Sequence, residues 1–291
     1  MSSALAADVY LKLETLQTSF SYKIRGAWNV VLAIRERGEA PAIVTASAGN
    51  HGRALAHAAK GAGLAVTVYV PATAPRIKVD AIRAAGADVR EVEDYDAAEA
   101  HAKADARRTG ATYISPYSHP DVIAGAGTVG LEILEDLPGV DTIVVPVGGG
   151  GLVSGIAIAA RGSGAAVAGV EVEASCPFTQ GLAAGRIVTI DVKPTLADGL
   201  AGNLDPETMT FDLVRQLVSQ IAVVSEDEVR AAIRGVAVEE RLIVEGSAAT
   251  GVAAVLSRGT AGSGSLKALG QRVAVVLTGA NIDPEKLRAI I

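Results

Sequence analysis

From residue 43 onward, short runs rich in β-branched residues alternate with alanine-rich stretches of helical spacing, and this alternation restricts the chain to α/β architectures built on open, mostly parallel sheets. VTVYV (66–70), DVREVE (88–93) and ATYIS (111–115) read as strands, with RIKVDAIRAAGA and DAAEAHAKADARR as the helices between them. A second set follows VIAGAGTVGLEIL: TIVVPV (142–147), a glycine loop, the helical LVSGIAIAA, and AAVAGVEVE (165–173). Ser225, with Glu228 three residues on, marks a helix start through the reciprocal capping-box pairing, and RVAVVL (272–277) reads as a strand. No fixed-period repeat is found, and GTAGSGS (259–265) reads as an exposed loop rather than a domain linker.

The bulk composition narrows the function class. A chain of 291 residues exceeds the usual size of one core, so two subdomains or one large α/β unit is expected. Hydrophobic residues at 49% against 20% charged supply that core and argue against disorder. A formal net charge of −6 without a dense basic stripe gives no reason to expect nucleic acid, so a small molecule is the expected partner. Cys176 is the only cysteine, which rules out an intrachain disulfide and a cysteine-built metal site and fits a reducing cytosol. The start MSSALAADVYLK lacks a basic segment followed by an apolar core, and no 18-residue apolar run occurs, so neither a signal peptide nor a membrane span is expected. The protein reads as soluble and cytoplasmic.

Four segments carry chemistry. Lys23, in SYKIRGA, precedes a stretch of helical spacing, where free backbone N–H groups disfavour positive charge and prepare an amine to act as a nucleophile; a solvated lysine at a helix start is the plain alternative. PVGGGGL joins a buried strand to a helix, and its glycines, Gly148, Gly149, Gly150 and Gly151, followed by Leu152, let several N–H groups converge on one anion beside a helix N-terminus. No Gly-Lys-Ser/Thr follows, so this is not a Walker loop; Glu171, about 20 residues downstream at a strand end, keeps a degenerate dinucleotide site open. SAGNH (Ser47, Ala48, Gly49, Asn50, His51) offers a tight turn able to bind a carboxylate, and equally an ordinary helix start. Thr278, in LTGAN, ends a strand where side chains of α/β sheets face a crevice, or simply closes a turn. His57, His101 and His119 show no ligand spacing.

In this order, SYKIRGA, SAGNH, PVGGGGL and LTGAN resemble the fold-type II pyridoxal-phosphate enzymes, and most closely the threonine/serine dehydratase (threonine ammonia-lyase) and serine racemase family. TLADGLA (195–201) and VEGSAATGVAAVL (244–256) extend the resemblance over nearly the whole chain. The family's own pattern is closer to TGSFKxRGA, so Tyr22 takes the Phe position and Phe20 stands where Gly is usual. The resemblance implies a tryptophan synthase β-like fold: a large cofactor-binding domain from residues 1–41 and 119–291, a small mobile α/β domain from 42–118, and pyridoxal 5′-phosphate between them. Lys23 would hold the cofactor, with Tyr22, Asn50, the glycine loop, Gly199, Glu245 and Thr278 around it; Asn50 would meet the 3′-oxygen, Ser47 and His51 the substrate carboxylate, and Thr278 the pyridine nitrogen.

The implied reaction is elimination of the β-hydroxyl of L-threonine or L-serine, releasing a 2-oxo acid and ammonia. A serine racemase, a dehydratase of 3-hydroxyaspartate or another β-hydroxy amino acid, and a non-catalytic pyridoxal-phosphate or nucleotide-binding module are the alternatives. Ala48 replaces the second serine of the racemases, so elimination should exceed racemisation. The cation site of some family members should be weakened, because Glu171, Ser175 and Pro177 stand where two carboxylates flank a backbone carbonyl. With Ile291 a few residues past LTGANID, regulation by a downstream amino-acid-binding domain is not expected. Family analogy implies a dimer or tetramer.

Overall fold

The computed structural model describes residues 7–38, 42–257 and 266–291, and the loop expected at GTAGSGS lies outside them. Among the described residues nine strands occur: β1 (Asp8–Leu13), β2 (Ile43–Ala46), β3 (Val66–Pro71), β4 (Asp88–Val92), β5 (Thr112–Tyr113), β6 (Thr142–Pro146), β7 (Ala166–Val172), β8 (Gln220–Val224) and β9 (Arg272–Leu277). They build two separate parallel sheets, one of five strands in the order β1-β9-β6-β7-β8 and one of four in the order β4-β3-β2-β5. The chain divides accordingly into two compact units, Met1–Tyr22 with Gly127–Ile291, and Lys23–Ala126. The segment 42–118 lies within the second unit, which also takes in the helix Lys23–Glu36 and the start of the helix Pro120–Asp136.

In the first unit the central strand β6 is buried along its whole length, as its run of apolar residues requires for a parallel strand covered on both faces. β9 pairs with both β1 and β6, in register Thr142↔Val273 and Asp8↔Arg272. The helix Gly246–Leu256 is buried from Gly246 through Val255 and has no polar face, so it runs through the core beside Val144, Val170 and Val275. In the second unit Ile24, Val30, Ile34, Leu55, Val68, Ile82 and Ile114 form one core between the sheet and its helices. There Gly26 lets the helix Lys23–Glu36 approach residue 122 closely, since a Cβ would lie 2.8 Å from the Val122 carbonyl oxygen.

Parallel strands send all their C-terminal ends to one edge of a sheet, which is where α/β proteins place their ligands. β6 and β9 are neighbours, so the glycine loop and Thr278 leave the same edge of the first sheet. β2 leads directly into Ser47 at the corresponding edge of the second.

Candidate functional site

In the first unit the glycine loop is built for close approach. Gly150 has φ 84°, a left-handed conformation that disfavours any side chain, and a Cβ there would lie 2.6 Å from Phe178 Cζ. The Thr210 hydroxyl donates to the Gly149 carbonyl at 2.7 Å. Because that peptide is planar and trans, fixing its carbonyl toward Thr210 aims the Gly150 N–H the opposite way. The helix Gly151–Ala159 begins immediately after, and its first amides have no intrahelical partner. Together these make an anion cradle at a helix N-terminus.

From that cradle a continuous floor leads to the end of β9. A Cβ at Gly148 would lie 3.0 Å from Leu200 Cα, and one at Gly199 would lie 2.7 Å from Ser247 Oγ. Gly246 is tighter still, with its absent Cβ 2.0 Å from the Leu196 carbonyl oxygen. The Glu245 N–H donates to the Gly279 carbonyl at 3.0 Å, and its buried carboxylate reaches toward Gly279, where a Cβ would be 2.8 Å from Oε1. Gly148, Gly199, Glu245 and Thr278, four positions separated by up to 130 residues, thus line one strip of the first unit.

The strip also fixes the approach to the lysine. Residues 19–22 run antiparallel to residues 278–281: Ser21 pairs with Gly279, the Tyr22 N–H donates to the Thr278 carbonyl at 3.0 Å, the Ala280 N–H to the Phe20 carbonyl at 2.9 Å, and Asn281 Nδ2 to the Ser19 carbonyl at 3.0 Å. Lys23 is the next residue of the chain.

In the second unit Lys23 opens the helix Lys23–Glu36, and its Nζ donates to the Pro116 carbonyl at 2.7 Å. Ser47 is tied to β3 through its N–H and the Tyr69 carbonyl at 3.1 Å, and its hydroxyl accepts from the Gly49 N–H at 3.3 Å. That turn delivers Asn50 and His51 into the first turn of the helix Asn50–Gly61. Packing of the helix against its own approach depends on Gly52, where a Cβ would lie 2.3 Å from the Ser47 carbonyl oxygen. His51 is 2% exposed, and a contact with the Ile114 backbone is too weak to offset the burial of its ring. Burial first, and then the neighbouring charges of Lys23 and His119, push its imidazole down to about 3, so it is neutral near pH 7.

The residues present fit a phosphate-bearing ring cofactor held through an amine. The cradle suits the anion, and Tyr22, the residue before Lys23, is hydrogen-bonded to Thr278 at the end of β9. Thr210 lies in no motif singled out from the sequence. It works through the Gly149 carbonyl, 61 residues away, a contact that leaves no local pattern. Glu171, the candidate acid of a dinucleotide site, has its carboxylate taken up by the Phe178 N–H at 2.9 Å, the Thr179 N–H at 2.8 Å and the Thr179 hydroxyl at 2.6 Å. Among the described residues no three His, Cys, Asp or Glu side chains gather as metal ligands, and no helix is long and apolar enough to cross a membrane.

Comparison with known proteins agrees with this geometry. The chain is 40% identical over 294 residues to an L-threonine ammonia-lyase of Thermotoga maritima, covering 100% of this chain and 71% of the relative. It is 35% identical over 286 residues to a serine racemase of Arabidopsis thaliana, covering 97% of this chain and 86% of the relative. Among solved structures, the processed form of threonine deaminase isoform 2 from Solanum lycopersicum superposes with a TM-score of 0.90 at 34% identity, covering 99% of this chain and 84% of that one. Maize serine racemase gives 0.89 at 31%, covering 99% and 88%. A family model described as pyridoxal-phosphate dependent enzyme matches residues 1–279, a span that holds the lysine, the glycine cradle and the Thr278 strand end alike, and the chain belongs to that family, with its fold-type II architecture of two parallel-sheet α/β domains.

Proposed function

We propose that this protein is an ammonia-lyase that converts L-threonine or L-serine to 2-oxobutanoate or pyruvate and ammonia. The observation that carries the reading is the antiparallel pairing of residues 19–22 with 278–281, which ties the approach to Lys23 to the strand end bearing Thr278. Relatives named L-threonine ammonia-lyase, matched over the whole of this chain and 71% of their own length, support the choice of reaction.

Bound pyridoxal phosphate supplies the electron sink that acidifies the substrate Cα–H and allows the β-hydroxyl to leave. The amides of residues 148–152 would hold its phosphate, and Tyr22, Asn50, Gly199 and Glu245 would surround it. Lys23 would hold it through its amine, and that amine, when free, would act as general base toward the substrate Cα–H. The turn at Ser47, Gly49 and Asn50, with neutral His51, receives the substrate carboxylate. Thr278 would offer its hydroxyl to the ring nitrogen of the cofactor, a partner much less able than a carboxylate to keep that nitrogen protonated. Ala48 has only a methyl group, which cannot act as an acid on the substrate face opposite the lysine, so racemisation would be minor. A segment of about 42–118 that moves as substrate enters, a cytoplasmic location and assembly into dimers or tetramers complete the proposal by family analogy.

A panel of β-hydroxy amino acids assayed for 2-oxo acid release tests the reading. Threonine or serine should give the fastest release and L-serine should yield pyruvate with little D-serine, while Lys23→Ala should lose both turnover and the visible band of lysine-bound cofactor. D-serine formed at the rate of pyruvate would favour the racemase reading instead, and an intact visible band in Lys23→Ala would remove Lys23 from its role.

A further inference from the structure

The peptide that joins Gly149 to Gly150 has glycine on both sides, so no Cβ opposes its rotation. Rotation would exchange its two ends and bring a carbonyl oxygen to the side where its N–H points now, and a carbonyl oxygen repels an anion. The cradle therefore works only if something outside the loop holds that peptide in one sense.

Two threonines supply the hold. Thr210 Oγ1 donates to the Gly149 carbonyl at 2.7 Å and lies 2.8 Å from Thr208 Oγ1, and both residues are buried. A hydroxyl has one hydrogen to give. The carbonyl has none, so the Thr210 hydrogen goes to Gly149, and the hydrogen shared between the two hydroxyls comes from Thr208. Thr208 Oγ1 accepts in turn from the Thr210 N–H at 3.3 Å, at the start of the helix Thr210–Leu217. The result is a chain of fixed direction in which each bond polarises the next. Packing closes the same side of the loop: a Cβ at Gly150 would lie 3.0 Å from Thr210 Cβ and 2.6 Å from Phe178 Cζ, and Phe178 stacks on Phe211 at 6.2 Å. Gly148 and Gly149 stay partly exposed, which leaves the anion the outer side, toward which the planar peptide aims the Gly150 N–H.

We infer that Thr210 is a positioning residue for the cofactor phosphate, its hydroxyl, oriented by Thr208, locking the Gly149–Gly150 peptide with its N–H toward the anion. The inference rests on the cofactor reading above and adds to it the side chains that set the polarity of the cradle. Thr210 acts through the peptide alone.

Thr210→Val keeps the branched shape and removes the hydroxyl, whereas Thr210→Ser keeps the hydroxyl. The full chain, stripped of cofactor, is titrated with pyridoxal phosphate and separately with pyridoxal, which has the same ring and aldehyde but no phosphate. Thr210→Val should bind pyridoxal phosphate about 5- to 50-fold more weakly, the effect of one misdirected hydrogen bond to a charged group, with pyridoxal affinity within about 2-fold of the wild type. Thr210→Ser should bind both as the wild type does. If Thr210→Val does not fold, Thr208→Val decides, with a phosphate-specific loss of about 2- to 5-fold, because the bond to Gly149 remains and only its orientation is released. Unchanged affinity for pyridoxal phosphate would overturn the inference, and so would an equal loss for both ligands or a serine variant as weak as the valine one, since a side chain that merely fills space behaves that way. Failure of the cofactor reading itself looks different: the wild-type chain would show no saturable binding of pyridoxal phosphate, or would bind pyridoxal equally well, or Lys23→Ala would keep the visible band.

Discussion

Phe20 holds φ at 55°, a conformation that costs an L side chain about 1–2 kcal/mol and that glycine adopts freely. The family pattern places Gly here, and the structure shows why: residue 20 turns the chain into the antiparallel run along residues 278–281. The side chain is 50% exposed and returns little through burial. Relief of the strain, less about 0.4–1 kcal/mol for the added freedom of glycine in the unfolded chain, leaves a net gain. Phe20→Gly should therefore raise the free energy of unfolding by about 0.5–1 kcal/mol in urea titrations, whereas Phe20→Ala, which keeps a Cβ, should not. At this scale the sequence is informative where chemistry and backbone demand coincide, as in the four glycines after Val147 or the lysine of SYKIRGA. It is silent for Thr210, an ordinary residue whose role comes from the Gly149 carbonyl that tertiary packing sets opposite it.

Elements follow the same division between local and distant causes. The capping box at Ser225 is legible because both halves lie within four residues, and both are formed: Glu228 N–H donates to Ser225 Oγ at 3.3 Å and Ser225 N–H to Glu228 Oε2 at 2.7 Å. Ser225→Ala should cost about 1 kcal/mol of unfolding free energy, measurable as a lower urea midpoint, with Ser225→Asp recovering most of it. The helix Pro177–Ala184 is started differently. Its first amides are met by Glu171, which reaches them from β7 across a tight turn in which the Ser175 N–H donates to the Val172 carbonyl at 2.8 Å. A cap located six residues before the helix has no recognised spacing, so Glu171 reads in sequence as a strand-end carboxylate for a ribose or a cation rather than as a helix cap. The buried strands β6, β7 and β9 announce themselves by continuous β-branched runs, whereas β1 and β8 are edge strands of the first sheet with partly exposed faces, and weaker patterning leaves them unmarked.

For the whole molecule, two buried titratable groups set opposing demands on the pH dependence of stability. His51 has its imidazole held at about 3 against an ordinary 6.5, chiefly by burial, so between those values the unfolded chain binds a proton that the folded chain refuses. Stability from this group is complete above 6.5 and is lost as the pH falls toward 3. Burial raises Glu171 from 4.5 to about 7 against its three hydrogen bonds, so there the folded chain keeps the proton and stability is lost as the pH rises through that range. The two slopes have equal magnitude and opposite sign wherever both windows overlap, and the wild-type profile conceals each of them between about 4.5 and 6.5. Substitution uncovers them, because every other titration cancels in the difference from the wild type. His51→Gln should lose less stability than the wild type on acidification below 6.5, the two curves diverging by up to about 1.4 kcal/mol per pH unit. Glu171→Gln, in chelator-containing buffer, should diverge in the opposite sense, losing less stability than the wild type as the pH rises from 4.5 to 7. Urea titrations at half-unit pH intervals measure both differences. A His51→Gln curve parallel to the wild type from pH 6.5 to 4 would mean that the imidazole titrates normally in the folded protein, and with it the neutral His51 assigned to the substrate carboxylate turn would fall.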